Sequence, residues 1–291
     1  MKSLVTLVAA LALIFVVRAP AHALTSSEID AWWNFDDPAA SEARFRAERT
    51  RWPDRSPEAL EIDTQIARTL GLQRRFDAAH ALLDAVSSSL WVAPPRLDVR
   101  FRLERGRVAN SSGAPDQAME WFLHALDRTA DDRAPEAEYY RIDALHMLGI
   151  AAPPGERMGW NAKALAAADT ATEPRARRWR ASLLNNLGWS LLDQGNAPAA
   201  LFTWQQALVA REASGDVART REARWTVARG LRATGKLDEA ERVQRALADE
   251  TERAGAPDPY VYDELAEIAR ARNDASGVDA WTAKAKAVRS K

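Results

Sequence analysis

The sequence repeats itself with a period near forty residues. An array of such units needs no single hydrophobic core, because each unit buries its apolar surface against its neighbours. Residues 106–126 (GRVANSSGAPDQAMEWFLHAL) and 188–208 (GWSLLDQGNAPAALFTWQQAL) carry Gly, Gly, Ala, a large aromatic and Ala-Leu at matching offsets. Residues 228–247 keep the same frame, and 67–86 keep it with weaker glycines. One small-residue position anchors the series at Ala79, Ala118, Arg157, Ala200, Ala240 and Val278, with spacings of 39, 39, 43, 40 and 38 residues.

Each unit reads as two helices, because apolar and small residues recur at i, i+3, i+4 and i+7. Leu184, Leu187, Gly188 and Leu191 form one stripe. Gly195-Asn196 ends that helix, as glycine does at a helix C-terminus. Pro198 then falls in the first turn of the next helix, where its missing N–H is harmless. Ala200, Trp204 and Ala207 make the second stripe. Period-two runs of Val, Ile and Thr are absent, so the expected fold class is all-α.

On these residues the unit resembles the tetratricopeptide repeat (TPR). That pattern sets a bulky residue, Leu-Gly or Leu-Ala and an aromatic on the first helix, then Ala and an aromatic on the second. Leu184, Leu187, Gly188, Leu191, Ala200, Trp204 and Ala207 fall on it. The fifth unit matches through Val227, Ala228, Leu231, Gly235, Ala240 and Leu247, and the first through Ile66, Ala67, Leu70, Phe76, Ala79 and Leu83. The third departs, with Arg157 where Ala belongs and Pro153-Pro154 in its turn; the sixth has Val278 for Ala. The resemblance implies a right-handed α-solenoid of about six TPR-like helix pairs over 60–291, with units at 60–93, 99–132, 138–171, 181–214, 221–254 and 259–291. Phrases such as NNLGWSLLDQG also resemble bacterial TPR proteins, a similarity that carries no activity with it.

The register assigns the tryptophans. Trp121, Trp160 and Trp281 share position 23 of their units and Trp204 holds position 24. A recurring position is what core packing predicts; a row of sugar-stacking rings is the alternative. Trp189 and Trp225, at positions 9 and 5 of their first helices, are open between ligand contact and partial core.

Residues 24–59 precede the repeats and read as an N-terminal helical cap, or else as a seventh, eroded repeat. Asp36-Asp37-Pro38 is an N-cap followed by proline, starting a helix over 38–51 with Phe45 on its apolar face. Ile29, Trp32 and Trp33 belong to a short element before it. Ahead of the cap, residues 1–23 read as a signal peptide: Lys2, an apolar run from Leu4 to Val17, then Ala21-His22-Ala23 as the cleavage pattern. Arg18 ends that run short of the roughly 20 residues of a spanning helix, though retention as an anchor is the alternative. The expected location is periplasmic, with no membrane span after cleavage.

Composition narrows the chemistry. Lys+Arg number 40 against 41 Asp+Glu, which is not the strongly basic balance of a nucleic-acid binder. With no cysteine, disulfides, thiolate zinc sites and a Cys nucleophile are excluded. No GxGxxG, GxxxxGK[ST], HExxH or GxSxG occurs. His80, His124 and His146 fall on different helices and faces of the repeat register, so no metal site is expected. Asp36-Asp37 and Asp131-Asp132 precede helix starts and read as caps. Asp263, Glu264 and Glu267 crowd one helix of the last unit rather than facing one another across a cleft. No cofactor and no catalytic residue is expected.

By the resemblance, positions 2, 5, 6, 9, 12 and 13 of each first helix line a concave groove. The candidate peptide-binding residues there are Gln65, Arg68, Arg107, Asn110, His146, Asn185, Asn186, Trp189, Trp225, Arg229 and Arg232. Arg forks bind carboxylates in two-point fashion, and Asn pairs with extended main chain. The competing reading is a solvated helix face with internal Arg–Asp/Glu pairs. Position 9 runs Arg68, Arg107, His146, Trp189, Arg229 and Glu267; a core position would be small or apolar, so at least five of these six are expected to face water or a ligand. The leading expectation is a non-enzymatic protein- or peptide-binding scaffold of the cell envelope. A structural subunit of an envelope or polysaccharide-export complex is the alternative, and an α/α-toroid hydrolase a third.

Overall fold

The computed structural model describes residues 23–290, so the expected leader lies outside the described residues except for Ala23. Every regular element among them is helical. α1 (Ser26–Trp32) and α2 (Pro38–Arg49) come first. Six longer pairs follow: α3 (Pro57–Leu72) with α4 (Phe76–Ser87), α5 (Pro95–Ser111) with α6 (Pro115–Arg128), α7 (Pro135–Ala151) with α8 (Pro154–Thr170), α10 (Trp179–Asp193) with α11 (Ala197–Ser214), α12 (Val217–Ala233) with α13 (Leu237–Arg253), and α14 (Pro259–Ala271) with α15 (Ala275–Arg289). A short 3-10 turn, Leu90–Val92, and the single-turn helix α9 (Pro174–Arg177) fill two connections. The fold is an all-α array of TPR-like helix pairs.

Local chemistry sets the ends of these helices. Thr25 and Glu28 form a reciprocal capping box on α1. Asp37, Ser56, Asn196, Asp216, Asp258 and Asp274 each accept a backbone N–H at the start of their helices. The turn inside each pair places its fifteenth residue in the left-handed region: Arg74, Gly113, Gly195, Gly235 and Asn273 have φ of 60°, 92°, 78°, 77° and 60°. Glycine takes this conformation without penalty, and Asn tolerates it better than Arg does. The third pair alone lacks it. Ala152 and Pro153 join α7 to α8, with φ of −63° and −53°.

The chain divides into two compact units, residues up to Ala118 and residues from Met119, and the boundary falls inside α6. In the first, α1 and α2 cover α3: Leu24, Ile29 and Phe45 are buried, and Phe45 meets the edges of Trp32 and Trp33 at ring distances of 5.8 and 5.1 Å. Ile62, Ile66, Leu70, Leu83, Leu97 and Phe101 continue that core.

In the second unit the core runs as a chain of clusters. Ile142, Leu145, Ala164, Ala168 and Leu183 join α7, α8 and α10. Leu201, Trp204, Val227, Leu231 and Ala240 join α11, α12 and α13. Leu247, Val261, Tyr262, Leu265 and Ala285 complete the C-terminal end. A Cβ on Gly188 would lie 2.7 Å from Cε2 of Trp204, so only glycine lets α11 carry an indole so close to α10. Trp204 is fully buried, and its Nε1 donates to the Asn185 carbonyl at 3.0 Å.

In five of the six pairs the buried position is the twenty-fourth residue, not the twenty-third. Leu83, Phe122 and Trp204 are fully buried, whereas Trp121, Trp160 and Trp281, expected in the core, are half-buried. Helical geometry explains the shift: positions 20, 24 and 27 share one stripe, and position 23 is rotated to its edge. There the rings meet cations and other rings. Lys163 Nζ lies 4.2 Å above Trp160, and Trp281 stacks on Tyr262 at 6.1 Å between Arg245 and Lys284. The third and fifth pairs place Asn161 and Gln244 at position 24, both buried.

Candidate functional site

The first helix of each pair presents polar positions 6 and 9 along one side, and the structure pairs them between repeats. In the first unit, Arg68 of α3 reaches Glu104 of α5 at 3.7 Å, and Arg107 closes on the same carboxylate at 2.7 Å. In the second unit, Arg229 of α12 reaches Glu264 of α14 at 3.4 Å, and Arg232 meets it through Nε and Nη2 at 2.5 and 3.2 Å. Asn186 Nδ2 of α10 lies 3.4 Å from His146 Nδ1 of α7. At these three junctions position 9 of one repeat meets position 6 of the next, and Arg107 and Arg232 add contacts from the same repeat and from position 12.

Position 6 is largely buried: Gln65, Glu104, Asp143, Thr226 and Glu264 are all inaccessible. A buried carboxylate needs a cation and hydrogen bonds to offset its desolvation. The position 9 and 12 arginines supply them.

Several expected groove residues therefore have other roles. Gln65 is 1% exposed; its amide accepts from Trp33 Nε1 at 3.2 Å and donates to Thr64 Oγ1, holding the cap against α3. Arg68 stacks over Trp33 and Phe35, each at 5.2 Å, besides its contact with Glu104. Arg107 is bound to Glu104, and Asn110 is half-buried one turn further along α5. Arg229 and Arg232 neutralise Glu264. These arginines make internal ion pairs with position 6 carboxylates that burial has desolvated.

Trp189 packs its edge on Trp204 at 5.0 Å and faces Trp225 at 6.3 Å. The Arg229 guanidinium lies 5.2 Å from the Trp189 ring and 6.0 Å from the Trp225 ring. This cation–π contact fixes the aromatic strip from α10 to α12. Trp189 is thus partial core and is absent from the cavity described next.

A cavity of about 1020 Å³ lies within the second unit, and four expected residues line it: His146, Asn185, Asn186 and Trp225. Its walls come from the N-terminal halves of α10, α12 and α14 and from the later turns of α7, α11 and α13. Trp225 Nε1 donates to the Tyr260 carbonyl at 3.0 Å, and Tyr260 itself is a strongly exposed rim residue. His146 packs on Trp179 at a ring distance of 4.9 Å.

Sequence reasoning missed Trp179 and Arg211 in this wall. Trp179 precedes the first residue of its repeat frame, and Arg211 sits on a second helix, outside the positions read as groove. Arg211 donates to Ser182 Oγ at 2.7 Å. Burial, followed by the charge of Arg219, pushes its pKa below the usual arginine value.

Among the described residues, no group of three or more His, Asp or Glu is placed to hold a metal ion. None of the described helices is long and apolar enough to cross a membrane.

Solved structures share this architecture. A signal transduction ATPase with numerous domains and a tetratricopeptide repeat sensor, from Pyrococcus horikoshii, superposes with a TM-score of 0.66 at 13% identity, covering 87% of this chain and 38% of that one. PilW, a widely conserved type IV pilus biogenesis factor, gives 0.58 at 21% identity over 79% of this chain and 93% of its own. A Rap protein complexed with competence and sporulation factor gives 0.54 at 13% identity over 90% and 77%. At these identities the likeness establishes the fold, which is that of the TPR proteins. No protein-family model and no curated protein matches the sequence.

Proposed function

We propose that this chain is a protein- or peptide-binding scaffold whose ligand lies in the cavity of the second unit. The observation that carries this reading is the cavity itself. It is about 1020 Å³, at the upper end of the roughly 300–1,000 Å³ common for small ligands. Its walls mix Trp179, Trp225 and Tyr260 with Asn185, Asn186 and His146, so rings offer apolar contact and amides offer main-chain hydrogen bonds. The fold's use in a Rap protein bound to competence and sporulation factor supports the same reading.

Export belongs to this proposal. Residues 1–23 have the sequence form of a cleavable leader, which would place the scaffold in the periplasm, within reach of envelope partners. The mature chain would begin at Leu24, so intact-mass analysis of the native protein checks this directly. A chain still starting at Met1 in the cytoplasm would exclude it.

Site-specific photo-crosslinking tests the binding face. A crosslinker replacing Tyr260, on the cavity rim, should give a discrete adduct in cells. One replacing Phe202, exposed on α11 outside the cavity, should not. Adducts from Phe202 alone would move the interface to the outer surface of the second helices and favour an assembly subunit.

A further inference from the structure

The charged residues of the cavity wall are not equally satisfied. Arg219 is paired with Glu222 at 2.9 Å, Arg221 with Glu250 at 2.7 Å, and Asp258 caps α14 by accepting from Tyr260 N. Glu250 also takes Arg224 at 2.8 Å. Arg211 differs. Among the described residues no carboxylate stands within ion-pair distance of it, and its hydrogen bond is to the neutral Ser182 hydroxyl. Burial partly desolvates its charge, and Arg219 of like charge and Asp216 and Glu222 of opposite charge act on it without ion-pair contact.

Ser182 lies on α10 between Trp179 and Asn186, at i−3 and i+4, so all three share one helical stripe in the wall. The buried Trp179 Nε1 in that stripe also has no acceptor. This part of the wall thus holds hydrogen-bond donors and a cation in excess of acceptors. A half-desolvated guanidinium fixed by one hydroxyl keeps most of its donor fork for something else.

We propose that Arg211, tethered by Ser182, seats a carboxylate side chain of an extended peptide running through the cavity. The proposal rests on the peptide-binding reading and names what that peptide must carry: an Asp or Glu, next to residues that fill the aromatic wall of Trp179 and Trp225. The charge balance points the same way. Arg219 and Arg221 have carboxylate partners in Glu222 and Glu250, whereas the direct contact of Arg211 is the neutral Ser182 hydroxyl. The cavity is also larger than a lone carboxylate metabolite needs.

The probe is an array of short acetylated, amidated peptides, each Asp or Glu peptide matched by its Asn or Gln counterpart, scored against the full mature chain. Peptides that bind should prefer the carboxylate form by about tenfold, the scale of one charge-assisted hydrogen-bonded contact. Arg211→Gln should abolish that preference, Ser182→Ala should weaken it, and Arg242→Gln, exposed on α13 outside the cavity, should leave it intact. Circular dichroism establishes that each variant is folded; if Arg211→Gln is not, Ser182→Ala and the matched peptides on the unaltered chain still decide. Binding without carboxylate preference, preference that survives loss of Arg211, or preference undiminished by loss of Ser182 overturns the Arg211 site and leaves the groove reading standing. An array that binds no peptide overturns both. Full competition by glutarate would assign the site to a small dicarboxylate and overturn the peptide.

Discussion

Arg229 Nη1 stands 3.4 Å from Glu264 Oε2, one repeat further along the chain, and the same step joins Arg68 to Glu104 at 3.7 Å. The polar face of the first helices is therefore a set of inter-repeat bonds before it is a binding surface. Its partners are 35 and 36 residues apart in sequence, three short of the local repeat lengths of 38 and 39, because position 9 meets position 6.

Glu264→Ala should accordingly cost more than a surface ion pair does. It strands Arg229 and Arg232 beside a void, and roughly 1–3 kcal/mol is expected, reduced from the cost of a fully buried pair because both arginines retain some solvent. Arg270→Ala, whose partner Glu267 is half exposed on the same helix, should change stability by ~0–1 kcal/mol. Urea unfolding followed by circular dichroism compares them. Equal losses would mean the buried ladder contributes no more than the surface.

Gly188 and Gly159 give a paired test of packing. At Gly188 an added methyl meets the Trp204 indole, so Gly188→Ala should destabilise by about 1–3 kcal/mol. Gly159 lies inside α8 with nothing within 4 Å of a built Cβ. There Ala should stabilise by about 0.5–1 kcal/mol through helix propensity and a less flexible unfolded chain. Thermal unfolding reads both, and a rise at position 188 would disprove the close approach.

Acid should loosen the connection between α8 and α9. The Glu138 carboxylate of α7 accepts the backbone N–H groups of Thr172 and Glu173, each at 2.8 Å. The bond from Glu173 is the main cause of a pKa below the ordinary 4.5. A carboxylate depressed in the folded state stabilises above its unfolded pKa and loses that contribution as pH falls through the folded value. The melting temperature of the natural chain should therefore drop below pH 4.5 more steeply than that of Glu138→Gln, and a matching slope would rule out this anchor.

Base should act at the other end. Burial, with the hydrogen bond Tyr262 donates to Glu252 at 2.6 Å, pushes the Tyr262 pKa up to about 12 from 10.0. Its contribution to stability is complete below pH 10 and declines as pH rises towards 12. Ultraviolet titration should show one tyrosine ionising late, and Tyr262→Phe should remove that component. Loss of an early-titrating component instead would place Tyr262 in water.

Much of the architecture was legible in the sequence because its signals are local. Proline after a capping residue at Asp37-Pro38, and glycine at position 15 in Gly195 and Gly235, mark helix ends wherever they stand. The third repeat announced its departure through Pro153-Pro154, and the structure shows why: its turn has no left-handed residue. The site was less legible. Composition told that positions 6 and 9 are polar, but not that they face each other across repeats, so Gln65 and Arg229 looked available when they are engaged. Trp121 was misplaced by one residue, about 100° around a helix, because its neighbour Phe122 is equally apolar. Arg211 gave no repeat signal at all; only the packed structure shows which second-helix side chain reaches the cavity.

The ladder makes the repeats non-interchangeable. By backbone each helix pair is a closed module, but the first and fifth each hold only one half of a charge pair whose other half lies in the next repeat. Duplicating the α12–α13 pair in place would set Arg229 against a second Thr226 where Glu264 now stands. A graft that replaces the second or the last repeat must therefore supply the acidic position 6 that Arg68 or Arg229 requires.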